Sequence, residues 1–383
     1  MPPDLPSADL VRAASDERVL RALMAARRLT RAELASRTGL SKPTAGESVR
    51  RLTEAGLVAD TGARTPGGRG KGRVGTYYAL AAGAGAALAL SIAPDGVIAE
   101  CADSYGDVIA RSEQRIDRPA SPPRVAEAVQ SAVSDVQDAA GSAGRLAVVS
   151  AADPVDRKTG RLVHLPDAPF LVGELSPAEL LAPRVCGPVI VDNDVNWAAR
   201  AEREAAGGGL DNYAYLYLGE GLGCAIVSDG EVLRGHAGIA GEIAHVLTIS
   251  PAGRPVPLTE VFAELGLRHA RSAAINVSAL LAAVADPAER GQHTRAALAT
   301  AISGVLAAIV AIADPEVTII GGTWGTHPAV IDAISAGARR LPRHAPVKAA
   351  SLTSEPALAG ARQHAVQSLR SAIVAAAAAG RAG

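Results

Sequence analysis

The chain has 383 residues, 48% of them hydrophobic and 20% charged, with a formal net charge of −1. That length and composition predict more than one globular domain with sizeable cores, and with only 3% aromatic residues those cores must rely on Ala, Val, Leu and Ile. The near-neutral total hides a division. Residues 1–80 hold 14 Lys+Arg against 8 Asp+Glu, a balance of +6, whereas the remaining 24 against 31 give −7, so a basic head precedes an acidic body.

The first expected element is a helix from about Asp16 to Arg27, which buries Val19, Leu20, Leu23 and Met24. Thr30-Arg31-Ala32-Glu33 then forms a capping box: the Thr30 hydroxyl accepts from the Glu33 N–H, and the Glu33 carboxylate reaches back to the Thr30 N–H. The helix it opens turns Leu34 and Ala35 inward and stops at Gly39, and Ser41 caps a following helix with Pro43 in its first turn. In that helix Val49, Leu52 and Ala55 share one face. Ser41, Lys42, Thr44, Glu47, Ser48 and Arg51 point elsewhere, a polar set able to enter a major groove with Lys42 and Thr44 leading.

Gly56-Leu57-Val58 closes this helix and opens a strand. A Gly-rich loop from Gly62 to Arg73 carries Arg64, Arg69, Lys71 and Arg73, and an apolar strand runs from Val74 to Leu80. This hairpin reads as a wing whose cations suit phosphates. Two helices and a tight turn also occur in ordinary bundles, and Gly/Arg loops are often solvated linkers. Both features in order predict a winged helix-turn-helix DNA-binding domain over residues 1–80.

A small-residue joint, residues 81–86, leads to a second domain, residues 87–383. Ala87 to Ile92, Val97 to Asp103 and Val108 to Gln114 alternate and are broken by the turn tripeptides Pro94-Asp95-Gly96 and Tyr105-Gly106-Asp107, so an antiparallel meander is expected. A helix from about Pro123 to Ala140 follows, then strands Leu146 to Ala151 and Pro188 to Asp192. Tyr213 to Leu218 pairs with Ala225 to Ser228, and a late strand covers Val317 to Ile320. Strands mixed with crossover helices indicate an α/β domain.

The start, Met1 to Ser7, is Pro-rich and acidic and lacks the regions of a signal peptide. No uninterrupted apolar run reaches the length of a bilayer span, the Ala-rich tail from Ile373 to Ala379 being far too short. A cytoplasmic protein without membrane contact is expected. Cys101, Cys186 and Cys224 lie far apart in apolar settings, which reads as reduced, buried thiols and not as a disulfide frame or a metal knuckle.

Asn193 and Asp194 follow a buried strand, where α/β proteins present ligand-binding groups. An amide offers donor and acceptor to vicinal hydroxyls, and a carboxylate accepts from a hydroxyl or takes its proton. The other reading is an Asx cap on a helix beginning near Asn196. Glu242 and His245, three apart after a Gly-rich turn, can converge on the same ligand, although a lone histidine is by default a packed one. Trp197 is either core or an indole able to stack on an apolar ligand face.

Three segments carry a resemblance: Val191-Asp192-Asn193-Asp194-Val195-Asn196-Trp197-Ala198-Ala199, then Leu218-Gly219-Glu220-Gly221-Leu222-Gly223, then Gly235 and Gly238-Ile239-Ala240-Gly241-Glu242-Ile243-Ala244-His245. Together with Asp314-Pro315-Glu316 and Gly321-Gly322, they resemble the signature of the ROK family of repressors and sugar kinases. The winged helix-turn-helix is what its repressor branch adds in front. The resemblance implies an actin-like (ribonuclease H-like, sugar kinase type) fold of two α/β lobes around a sugar cleft, usually in a homodimer or homotetramer. It also implies that Asn193 and Asp194 hold the sugar, that Asp194 is the base in kinases, and that Glu242, His245 and Glu260 contact sugar hydroxyls.

Departures from the pattern separate kinase from regulator. Family kinases open the first lobe with Asp-x-Gly-Gly-Thr, whose glycines let backbone N–H groups approach phosphate. Here the place reads Ser91-Ile92-Ala93-Pro94-Asp95: Pro94 removes a donor and Asp95 adds a negative charge. The second phosphate turn has Glu220 where a hydroxyl residue is usual. No Cys occurs between Val246 and Glu260, so the family's zinc site cannot be built there. The sequence thus predicts a DNA-binding, sugar-responsive regulator of the repressor type, without cofactor or metal, whose effector is a sugar or sugar phosphate. An active sugar kinase with an appended head and a non-sensing dimerisation scaffold remain open alternatives.

Overall fold

The computed structural model describes residues 8–65, 74–118, 120–163, 165, 174–270 and 272–379. The amino-terminal helix, Ala8–Ala26, is longer than expected and buries Val19, Leu20, Leu23 and Met24. A short strand, Arg28–Thr30, which the sequence pattern did not announce, pairs with Thr76–Leu80, and Thr76–Leu80 pairs in turn with Val58–Arg64. The capping box forms with Thr30 N–H to Glu33 Oε2 at 2.8 Å and Glu33 N–H to Thr30 Oγ1 at 3.3 Å. It opens the helix Arg31–Thr38, and Ser41 caps the helix Lys42–Glu54. The wing tip, with Arg69, Lys71 and Arg73, lies outside the described residues.

Two five-stranded sheets follow, and both repeat one plan: a three-stranded antiparallel meander extended by two parallel strands. In the first lobe the order is Val108–Arg115, Gly96–Asp103, Ala86–Ala93, Ala147–Ala151, Val189–Asn193. In the second it is Glu231–Val232, Leu222–Ser228, Tyr213–Leu218, Val317–Gly321, Val347–Ala349. This is the actin-like, two-lobed α/β fold that the resemblance implies. Parallel strands need crossovers, and helices supply them. Pro122–Ala140 packs Val125, Val129 and Val133 on one face of the first sheet. Glu289–Ala313 is long and apolar enough to cross a bilayer, contrary to the expectation of no such stretch. It lies in the second lobe's core, where Leu298, Ile302, Val305 and Leu306 are buried.

The helix Asp194–Ala205 is shared between the lobes. Val195, Ala198 and Ala199 pack with Tyr213 and Tyr215 of the second sheet, while Trp197 turns toward the first, its indole N–H donating to the Val149 carbonyl at 3.0 Å. Trp197 is therefore a core residue, 1% exposed, and not a stacking platform for a ligand. Across it runs the carboxy-terminal helix Pro356–Ala379. Gly360 permits the crossing, since a Cβ there would stand 2.1 Å from the Trp197 carbonyl oxygen.

The same carboxy-terminal helix holds the head. Leu369 and Ile373 belong to one apolar cluster with Val19, Leu20 and Leu23. On the other side Tyr105 Oη donates to the Arg27 carbonyl at 3.1 Å and accepts from Leu80 N–H at 3.0 Å. The Arg27 guanidinium meets the Asp107 carboxylate at 2.5 and 2.6 Å. The joint at residues 81–86, a turn of 3₁₀ helix at Ala82–Ala84 followed by the first lobe strand, thus connects two parts that also touch through side chains. Of the three cysteines, Cys101 and Cys224 are buried as expected, but Cys186 is exposed on the stretch leading into the strand Val189–Asn193.

Candidate ligand cleft and nucleic-acid interface

At the carboxyl ends of Ala147–Ala151 and Val189–Asn193 the backbone turns toward the second lobe and opens a cleft. Asn193, Asp194, Glu242 and His245 all line it, together with Asp153. Asn193 is also the cap of the interlobe helix: its side-chain oxygen accepts from Val195 N–H at 2.9 Å, and its amide lies 3.4 Å from the Ala151 and Asp153 carbonyls. Both readings of Asn193 therefore coincide, since capping fixes the amide at the cleft wall. Gly241 places Glu242: at φ +97°, with a hypothetical Cβ only 1.8 Å from the Cys224 carbonyl oxygen, it lays the loop flat on the strand Leu222–Ser228.

Three carboxyls in this cleft are perturbed together. Burial pushes Asp194 up to about 7, partly opposed by the Val195 N–H. Burial, then the charges of Asp194 and Glu242, push Asp153 up to about 7, and burial with the Asp194 charge does the same to Glu242. Desolvated like charges in one cavity favour their neutral forms, so near neutral pH the cleft can both donate and accept toward hydroxyls. Next to it Asp192 is buried, accepts from Asn196 Nδ2 at 2.9 Å and faces Arg234 of the second lobe at 3.3 Å.

Glu260 does not line the cleft. It pairs with Arg268 at 2.9 Å, half exposed, because it faces outward on the helix Leu258–Glu264, and its neighbour Thr259 lines the cavity instead. Asp153 escaped the sequence reading. It follows the parallel strand beside the one that ends in Asn193, so the rule that singled out Asn193 and Asp194 applied to it equally.

The Pro94-Asp95 turn and the Glu220 loop, which stand where the resemblance puts the two phosphate turns of the kinases, are joined by Arg118. Arg118 Nη2 donates to Asp95 at 2.5 Å and Arg118 Nη1 to Glu220 at 2.8 Å. These ion pairs tie a first-lobe turn to a second-lobe loop.

At the head, Ser41, Lys42 and Glu47 are exposed and Thr44 half-buried at the start of the second helix of the helix-turn-helix. Ser48 and Arg51, expected in the groove-facing set, are not there. Ser48 is buried and its hydroxyl donates to the buried Asp16 carboxylate, which Arg51 also meets at 2.6 Å. They bind the helix to Ala8–Ala26. Besides Lys42, Arg50 is exposed on this helix, paired with Glu47 at 2.9 Å and Glu54 at 2.7 Å. Its spacing of three and four from those acids was the available signal. Arg64 is exposed near the wing and paired with Asp60 at 3.0 Å. Arg28 and Arg31 lie over the Tyr77 and Tyr78 rings at 5.2 and 5.1 Å and add two cations to the same region.

Known proteins share both parts. The ROK family model matches residues 99–367, and a winged helix-turn-helix DNA-binding model matches residues 12–59. A glucokinase of Halalkalibacterium halodurans is 48% identical over 69 residues, 18% of this chain and 21% of the relative. A glucokinase of Streptomyces coelicolor is 29% identical over 163 residues, 42% of this chain and 50% of the relative. The chain thus spans half or less of these curated relatives. Among solved structures, a ROK family transcriptional regulator described as a homologue of the E. coli MLC protein superposes with a TM-score of 0.65 at 18% identity, over 95% of this chain and 99% of that one. A ROK family glucokinase from Streptomyces griseus, in complex with glucose and AMPPNP, gives 0.57 at 23% identity over 74% and 100%. At such identities the superpositions establish a common fold.

Proposed function

Because the chain belongs to the ROK family, we propose that it is a transcription regulator whose two-lobed domain senses an uncharged sugar and transfers no phosphate. The observation that carries this reading is the Arg118 strap across Asp95 and Glu220. A polyphosphate entering there finds the guanidinium already paired with two carboxylates and must compete with them for that cation. Asp95 is largely exposed and its repulsion is screened, so Glu220 carries most of the penalty: at an effective dielectric of about 20, one carboxylate beside a phosphate costs on the order of a few kcal/mol.

The lining of the cleft narrows the effector. Asp153, Asp194, Glu220 and Glu242 stand there with His245 as the one basic side chain among the described lining residues. A free sugar suits this set better than a sugar phosphate. Sugar binding favours one closure of the lobes, and the head, docked on the carboxy-terminal helix, changes its presentation to a double-stranded operator; a ligand that bound both closures equally would shift nothing. Paired heads of a homodimer or homotetramer would read a two-fold site, in the cytoplasm where the chromosome lies.

One observation favours the kinase alternative: Asp194, raised to about 7, has the basicity wanted of a general base at neutral pH. Coupled measurement of ADP release over a hexose panel with magnesium and ATP decides between them. We expect background turnover, and turnover that Asp194→Asn abolishes would overturn the regulator reading. A scaffold that senses nothing is tested by thermal shift with free sugars. The sensing reading expects saturable stabilisation in the wild type that is lost in Glu242→Ala.

A further inference from the structure

Beside the carboxylate cleft lies a second open cavity. It shares Asp194 and Tyr217 with the first, so the two meet at those side chains. Its chemistry is not that of a phosphate site: no Lys, Arg or His occurs among the described residues lining it. Instead Ser91, Thr323, Thr326 and Thr353 line it with the acidic Asp194 and Glu355, beside apolar Ile92 and Leu358. Hydroxyls next to apolar patches match a neutral pyranose or furanose ring, which carries polar rims and apolar faces.

From this adjacency we infer that the effector is a disaccharide, one ring held among Asn193, Asp194, Glu242 and His245 and the second ring in the hydroxyl-lined cavity. The inference rests on the sugar-sensing reading and adds the size of the ligand. It also supplies a route to the head. Pro356, Ala357 and Leu358 wall the second cavity, and they open the same helix whose Leu369 and Ile373 pack against Val19, Leu20 and Leu23. The second ring therefore presses on the element that carries the head, whereas the first ring alone does not.

Isothermal titration of the full chain with glucose, galactose, mannose, xylose and N-acetylglucosamine, and with maltose, cellobiose, lactose, sucrose and trehalose, tests the inference. At least one disaccharide should bind tenfold or more tightly than either of its constituent rings. Thr326→Trp, which fills the second cavity, should erase that advantage and leave monosaccharide affinity within about twofold. Ser91→Gln serves the same purpose if the tryptophan variant does not fold. Amide exchange should slow along residues 356–379 with the disaccharide and not with its constituent sugars. Monosaccharides that bind as tightly as every disaccharide, or plugging variants that weaken both alike, would overturn the inference while leaving sugar sensing intact. Absence of binding by any sugar overturns sensing itself.

Discussion

Asp16 shows how one buried carboxylate decides the role of its neighbours. It is 2% exposed and takes both the Ser48 hydroxyl and the Arg51 guanidinium. Removing Arg51 leaves an undercompensated charge in the head core, a change of the kind that strongly destabilises. Arg51→Ala is expected to lower the unfolding free energy by about 2 kcal/mol, read by urea denaturation. Arg50→Ala and Lys42→Ala should leave stability nearly unchanged and weaken binding to genomic operator fragments in gel shifts. Unchanged gel shifts for both would mean that the contact surface lies elsewhere.

The cleft carboxyls give a pH dependence of definite sign. Asp153, Asp194 and Glu242 bind protons more tightly in the folded than in the unfolded chain, so between their ordinary values and about 7 the folded state holds more protons. Their contribution to stability is full below the unfolded values and is lost as pH rises toward 7. Asp194→Asn should flatten the fall in melting temperature between pH 5 and 7.5, as a pH series of thermal melts would show. A steeper fall in the variant would contradict the assigned burial. That these carboxyls cluster was only partly legible: Asn193, Asp194, Glu242 and His245 sit in motifs, whereas Asp153 joins them through the pairing of two parallel strands about forty residues apart in sequence.

Among elements, the pair formed by Asp194–Ala205 and Pro356–Ala379 matters most. The first begins at the cleft and serves both lobes; the second begins at the adjoining cavity and ends beneath the head. Their contact depends on the missing side chain of Gly360. Gly360→Ala should force the helices apart and cost about 1–3 kcal/mol, the usual range for overpacking, and it should loosen the head as seen by faster proteolysis of residues 8–65. A variant as stable as wild type would show that the crossing is easily relaxed. Pro356–Ala379 and Glu289–Ala313 were not among the expected elements; the head helices, the meander and the strands Ala147–Ala151, Val189–Asn193 and Val317–Gly321 were readable from period and turn residues, with strand limits within a few residues. The strand Arg28–Thr30 was not, because three residues carry no period and only Thr76–Leu80 makes them a strand.

The molecule as a whole is polarised, with +6 in residues 1–80 and −7 beyond. DNA association should therefore weaken steeply with salt, and Arg69→Ala should lower affinity while flattening the slope of log K against log salt by about one unit. Fluorescence anisotropy across a salt series measures this, and a salt-independent affinity would exclude phosphate contacts as its source.

Sequence by itself determined the helix caps, the alternation of the meander, the order of a DNA-reading head before a two-lobed body and the loss of the glycine pair at Pro94-Asp95, because each depends on neighbours within a few residues. Tertiary structure alone decided that Arg51 is a strut, that Glu260 faces Arg268, that Arg118 joins Asp95 to Glu220, and that the last helix links a cavity to the head. Those outcomes depend on which distant charges and faces the chain brings together, and local pattern carries no record of that choice.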